Sequence, residues 1–121
     1  MNNIHLHIIG SKTFVSILDE LDFNYNISFD KNLKYNNQDL FVRIVVAEKL
    51  QLTEIKKYFL ENIPTIFLLS NKDYLKKNKL SLMEFHVALF VPIDLLSFRE
   101  ILNILISKYN FFKKSKIIVN S

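Results

Sequence analysis

The chain has 121 residues, 50% of them hydrophobic, and a formal charge of +4 that rests almost wholly on lysine. That length allows one packed core rather than two ordinary domains, so residues 1–121 read as a single domain. Cysteine is absent, which excludes thiol catalysis, disulfide exchange and cysteine-ligated metal; a lone glycine, Gly10, and three histidines, His5, His7 and His86, leave no dinucleotide-binding, phosphate-loop, zinc-protease or serine-hydrolase motif.

Residues 1–10 have no basic start and do not read as a signal peptide. Apolar runs such as 63–69 fall far below the roughly 18 to 20 residues that span a bilayer. A cytoplasmic location without membrane contact is therefore expected, and the lack of cysteine fits a reducing compartment. The lysines are mostly scattered, and Arg43 and Arg99 are the two arginines. Phosphate and base recognition favours arginine forks interleaved with aromatics, so no direct nucleic-acid contact is expected of this segment. The richness in Asn, Lys, Ile, Phe and Tyr suggests an AT-rich genome.

In chain order, residues 4–9 form an apolar run with His5 and His7 alternating in it, and Gly10 and Ser11 follow as a turn. Residues 13–21 are amphipathic, with Phe14, Ile17, Leu18 and Leu21 on one helical stripe. Residues 25–29 alternate as a short second strand. Residues 30–39 are polar and Asn-rich, predicting a poorly formed helix or a loop, because Asn and Asp compete for backbone hydrogen bonds. Residues 40–47 are apolar and rich in β-branched side chains, interrupted only by Arg43, which predicts a central strand buried on both faces.

Thr53 is the expected N-cap of the next helix, with Ile55, Tyr58 and Phe59 on its buried face and Asn62 at its end. Pro64 opens a fourth strand. Residues 71–85 are lysine-rich, with Leu75, Leu80, Leu82 and Met83 beneath the charge, and 87–91 form a fifth strand. A last helix is predicted over about 95–112, with Phe98, Ile101, Leu102, Leu105, Tyr109 and Phe112 as its core stripe. Five strands alternating with helices predict an α/β, flavodoxin-like, doubly wound parallel sheet of strand order 2-1-3-4-5, with helices on both faces.

In such sheets ligands bind beyond the carboxyl ends of the strands, which places a site after Ile9, Ala47, Ser70 and Val91. Residues 64–70 (Pro-Thr-Ile-Phe-Leu-Leu-Ser) and 87–94 (Val-Ala-Leu-Phe-Val-Pro-Ile-Asp) resemble the last two strands of response-regulator receiver domains. Strand and helix order extends the resemblance over the whole chain. Receivers take a phosphoryl group on an aspartate ending the third strand and hold magnesium on two acids after the first. Here Gly10 and Ser11 stand at the acidic corner, and neither brings the carboxylate oxygen that magnesium prefers.

At the end of the third strand stand Ala47 and Glu48, and Glu48 is the nearest carboxylate. It either imitates a phosphoaspartate or, as the reading favoured here, is a solvated loop residue. Ser70 matches the family's hydroxyl, Val91 replaces its phosphate-pairing lysine, and Pro92 keeps its proline. That family's bond before the proline is cis; Pro92 also reads as a first helical residue. The resemblance thus implies a receiver-like fold without phosphoacceptor, metal, cofactor or enzymatic activity. Gly10, Ser11, Ala47, Glu48, Ser70, Val91 and Pro92 would line its degenerate pocket.

Several other features have plainer readings. His5 and His7 share a strand face, yet two imidazoles make an incomplete metal site. Lys72, Lys76, Lys77 and Lys79 read first as a solvated face, and Lys113, Lys114 and Lys116 as the run from a helix into a linker. At about 100° per residue, Ile104 and Phe111 point off the core stripe of the last helix, toward the side of Ser97 and Lys108. Apolar residues rimmed by polar ones are candidate interface residues. Winged-helix response regulators dimerise through this region, so the resemblance implies a homodimer. Residues 116–121 look like the start of another strand, as if a DNA-binding output domain followed. The rival reading is a stand-alone adaptor holding a protein or small ligand at the degenerate pocket.

Overall fold

The computed structural model describes residues 4–20 and 25–120, with side chains up to residue 115. Strands β1 (Ile4–Ile9), β2 (Asn26–Ser28), β3 (Leu40–Val46), β4 (Thr65–Leu69) and β5 (His86–Phe90) form one sheet. Its order is β2-β1-β3-β4-β5, every pair parallel, as a doubly wound α/β fold requires. Helices α1 (Lys12–Glu20), α2 (Leu52–Phe59), α3 (Tyr74–Lys77) and α4 (Leu95–Asn120) connect or follow the strands.

All seven residues of β3 and all five of β4 are buried, which is why both strands read as apolar runs broken only by Arg43 and Thr65. Alternation divides them between two layers. Leu6, Ile8, Val42, Ile44, Ile66 and Leu68 belong to one core with Phe14 and Leu18 of α1 and Phe98, Leu102 and Leu105 of α4. Ile9, Val45, Phe67 and Leu69 belong to the other, with Ile55 and Phe59 of α2. The rings of Phe59 and Phe67 stack at 3.9 Å between centroids. Each large side chain fully buried this way contributes about 1.5–3 kcal/mol.

Several elements differ from the sequence expectation. Ile17 stays 37% exposed while Phe14 and Leu18, with Val15 beside them, make the α1 contact, and Leu21 lies outside the described residues. Gln51, not Thr53, occupies the cap of α2, so the helix starts two residues earlier, at Leu52, without a side-chain cap bond. Residues 30–39, by contrast, are a loop, one of the two expected forms; Asp30 and Asn36 turn their own backbone by accepting from the Asn32, Gln38 and Asp39 amides. The lysine-rich segment contains a single helical turn, α3.

The last helix runs on to Asn120, so residues 116–120 are helical and not the start of a strand. No proline or glycine interrupts 95–120, and β-branched residues such as Ile117, Ile118 and Val119 form strand only where a neighbour strand pairs with them. Ile106, left off the expected core stripe, is buried, whereas Phe112 is 39% exposed. Because α4 starts at Leu95, Pro92 is not its first residue; the Val91–Pro92 peptide bond is cis.

Candidate functional site

The carboxyl edge of the sheet is packed with ordinary structural contacts. Gly10 sits at φ +103°, and a Cβ there would lie 2.6 Å from the Val46 carbonyl oxygen and 3.2 Å from the Leu50 side chain. The Ser11 hydroxyl accepts from the Phe14 amide at 3.3 Å, the geometry of an N-cap on α1. Ala47 is buried at the start of a 3₁₀ turn, Ala47–Lys49, in which Glu48 points outward and exposed. Ser70 is exposed, and the Val91 amide donates to Leu69 O at 2.8 Å, extending the β4–β5 ladder by one rung.

A different constellation lies within the sheet. His7, Arg43, Thr65 and His86 are the four buried polar residues among those described. Register pairs His7 with Arg43, Arg43 with Thr65 and Thr65 with His86. They therefore form one polar row across four adjacent strands, on the face that α2 covers. The residues around them come from α2 and its C-terminal end, from the segment before β5 at Met83, and from the link 29–39, which is a loop where the other crossovers carry a helix.

Partners assign the protons in this row. The Nε2 atom of His86 lies 2.6 Å from the Glu61 carbonyl, which can only accept, and its Nδ1 accepts from the Met83 amide at 3.0 Å. His86 is therefore neutral with its proton on Nε2. His7 follows the same logic: Nε2 donates to Asp30 O at 2.7 Å, and Nδ1 accepts from the Tyr35 hydroxyl at 2.6 Å. Burial holds both imidazoles below the ordinary histidine range, and the Arg43 charge adds to it. Burial also raises the Tyr35 hydroxyl, keeping it a donor. The Thr65 hydroxyl donates to Ile63 O at 2.7 Å.

Arg43 is the exception to this satisfaction. Its side chain is 5% exposed, and Nη1 donates to Glu61 Oε1 at 3.0 Å. The Tyr58 ring stands over the guanidinium, with Cζ 5.1 Å from the ring centroid. Nε and Nη2 have no partner in the protein. Arg43 lines a cavity of about 210 Å³ with His7, Lys31, Tyr35, Tyr58 and Glu61 among its neighbours. In the sequence Arg43 is only an interruption of an apolar strand, and that interruption is the signal available.

His5 turns elsewhere, to Asp39 Oδ2 at 3.0 Å and to a stack on Phe41 at 4.7 Å. No group of three or more His, Asp or Glu suited to a metal ion occurs among the described residues. Two larger cavities, about 560 and 350 Å³, lie respectively beside α2 at Leu60 and Leu80, and near Tyr35, Pro64 and Tyr109. Neither is lined by Gly10, Ser11, Ala47, Glu48, Ser70, Val91 or Pro92.

On α4 the four interface candidates divide. Ile104 and Phe111 are 63% and 74% exposed. Lys108 reaches back to Glu84 O at 2.7 Å, and Ser97 donates to Asp94 Oδ2 at 2.8 Å, so both already have partners within the chain. That hydroxyl holds the Asp94 carboxylate below its usual range. Leu96 adds a third strongly exposed apolar side chain, at 65%.

The topology defines a flavodoxin-like α/β protein of strand order 2-1-3-4-5. No protein-family model, curated protein or solved structure matches the chain. Among the described residues no helix is long and apolar enough to cross a membrane.

Proposed function

We propose that this chain is a receiver-like regulatory domain that works without phosphorylation and pairs with a second copy through α4. In that role it positions a DNA-binding output domain of a transcription regulator related to two-component systems, and it is not an enzyme. The observation that carries the reading is the exposure of Ile104 and Phe111, seven residues and two helical turns apart on one face of α4. Exposed apolar groups at this spacing gain most from a partner that covers them together, and a second copy offers the same stripe in a two-fold pair.

The carboxyl edge supports the non-catalytic half of the proposal. A Gly10 corner closed by Val46 O and Leu50 has no carboxylate to offer magnesium, and Val91 has no charge to offer a phosphoryl oxygen. Light scattering over a concentration range, without a phosphodonor, is the test: the expected mass is that of a dimer, and a strict monomer would overturn the pairing. Incubation with acetyl phosphate and magnesium should leave the mass of the chain unchanged. A covalently added phosphoryl group would restore receiver chemistry and refute its loss.

A further inference from the structure

We propose that the cavity at Arg43 is a binding site for a small carboxylic acid with an apolar body, gripped as its monoanion by the free edge of the guanidinium. The two nitrogens of Arg43 without a protein partner, Nε and Nη2, are neighbours on one edge, where their N–H bonds run parallel. That edge matches the two oxygens of a carboxylate. Leaving such donors buried and unpaired costs stability, because they lose water and gain no partner. An apolar side chain at position 43 would avoid the cost within a strand whose other six residues are hydrophobic.

The surroundings select the body and the charge of the ligand. Ile9, Leu33 and Ile63 supply apolar wall, and the rings of Tyr35 and Tyr58 supply aromatic wall. Two cations meet two anions here: Arg43 pairs with Glu61 at 3.0 Å, and Lys31 lies 4.0 Å from Glu54. A phosphate dianion would face the Glu61 carboxylate without a surplus of positive charge, whereas a carboxylate monoanion needs one fork. Nε and Nη2 are shielded from solvent, so Tyr58, partly exposed over the guanidinium, is the side chain whose rotation admits the ligand. The site lies within the sheet face and owes nothing to pairing through α4.

Sodium benzoate is a suitable probe, with benzamide and inorganic phosphate as controls at matched ionic strength. Nuclear magnetic resonance on the ¹⁵N-labelled chain would follow the Arg43 Nε–H signal and the amides of Leu33, Tyr58 and Ile63. Benzoate should shift these signals saturably, and benzamide and phosphate should not. Arg43→Lys, which keeps the charge and removes the fork, should weaken benzoate binding about tenfold or more. Glu61→Gln changes a half-exposed residue and removes the competing anion, so it should tighten binding severalfold whether or not the Arg43 variant folds. Absence of shifts at tens of millimolar benzoate, a preference for phosphate, shifts confined to other surfaces, or indifference to Glu61→Gln would each overturn the proposal.

Discussion

At Gly10 the backbone leaves β1 with φ +103°, and a Cβ built there would lie 2.6 Å from the Val46 carbonyl oxygen. Two independent penalties meet at this position, a backbone conformation that L-residues rarely adopt and a collision with main chain that cannot swing aside. Gly10→Ala should therefore destabilise the fold by roughly 2–4 kcal/mol. A urea titration should show the midpoint lowered at unchanged slope, and an unshifted midpoint would mean that the 3₁₀ turn yields. This residue was legible in the sequence as a turn, because a lone glycine after an apolar run has few other uses. His7, Arg43, Thr65 and His86 were not legible as a unit. They become neighbours only through strand register, which no local pattern records, and three of the four partners of the two imidazoles, the Asp30 and Glu61 carbonyls and the Tyr35 hydroxyl, come from distant segments.

Among elements, the strands followed the sequence most closely: β3 and β4 are covered on both faces, so apolar runs broken only by Arg43 and Thr65 are their signal. The helices departed where capping or length had to be inferred. Thr53 has a capping side chain, yet the helix already starts at Leu52 with Gln51 in the cap position, and nothing in the final apolar segment says whether a strand neighbour exists to pair with it. Helix α4 also bears on pairing. Ile104 and Phe111 are exposed, while Phe98, Leu102 and Leu105 hold the helix to the sheet and Lys108 ties it to Glu84 O. On the proposed pairing through α4, Ile104→Glu combined with Phe111→Glu should thus yield a monomer without altering the circular dichroism spectrum or lowering the melting temperature appreciably. A double variant that remains dimeric would place the contact elsewhere.

For the whole molecule, the two neutral imidazoles set a pH dependence. Folded His7 and His86 both bind protons more weakly than the ordinary histidine value of 6.5. The unfolded chain then holds more protons at acidic pH, so stability is fully present above about pH 6.5 and falls as the pH drops from there toward their depressed values. Chemistry sharpens the effect at His86, where a proton on Nδ1 would oppose the Met83 N–H that now donates to it. The exposed Asp94 carboxylate is held below its ordinary value of 3.8 by the Ser97 hydroxyl, so its own contribution is lost only as the pH falls below that value. Melting temperatures should be level from pH 8 to 7 and decline between about pH 6.5 and 5; a level profile through that range would mean that neither ring is held neutral.

The two edges of the sheet are unequal, and this limits how copies can add to one another. Strand β2 has three residues and closes its side of the sheet, whereas β5 presents five, with Phe90 exposed at its end. Very short edge strands give an incoming chain little backbone to pair with. Sheet-to-sheet growth in one direction is therefore blunted at β2, and the head-to-tail strand addition that builds filaments lacks its second docking edge. Association on the β5 and α4 side would use up the single generous flank of each molecule and stop at a closed pair, so concentrated solutions should reach a mass plateau rather than gel.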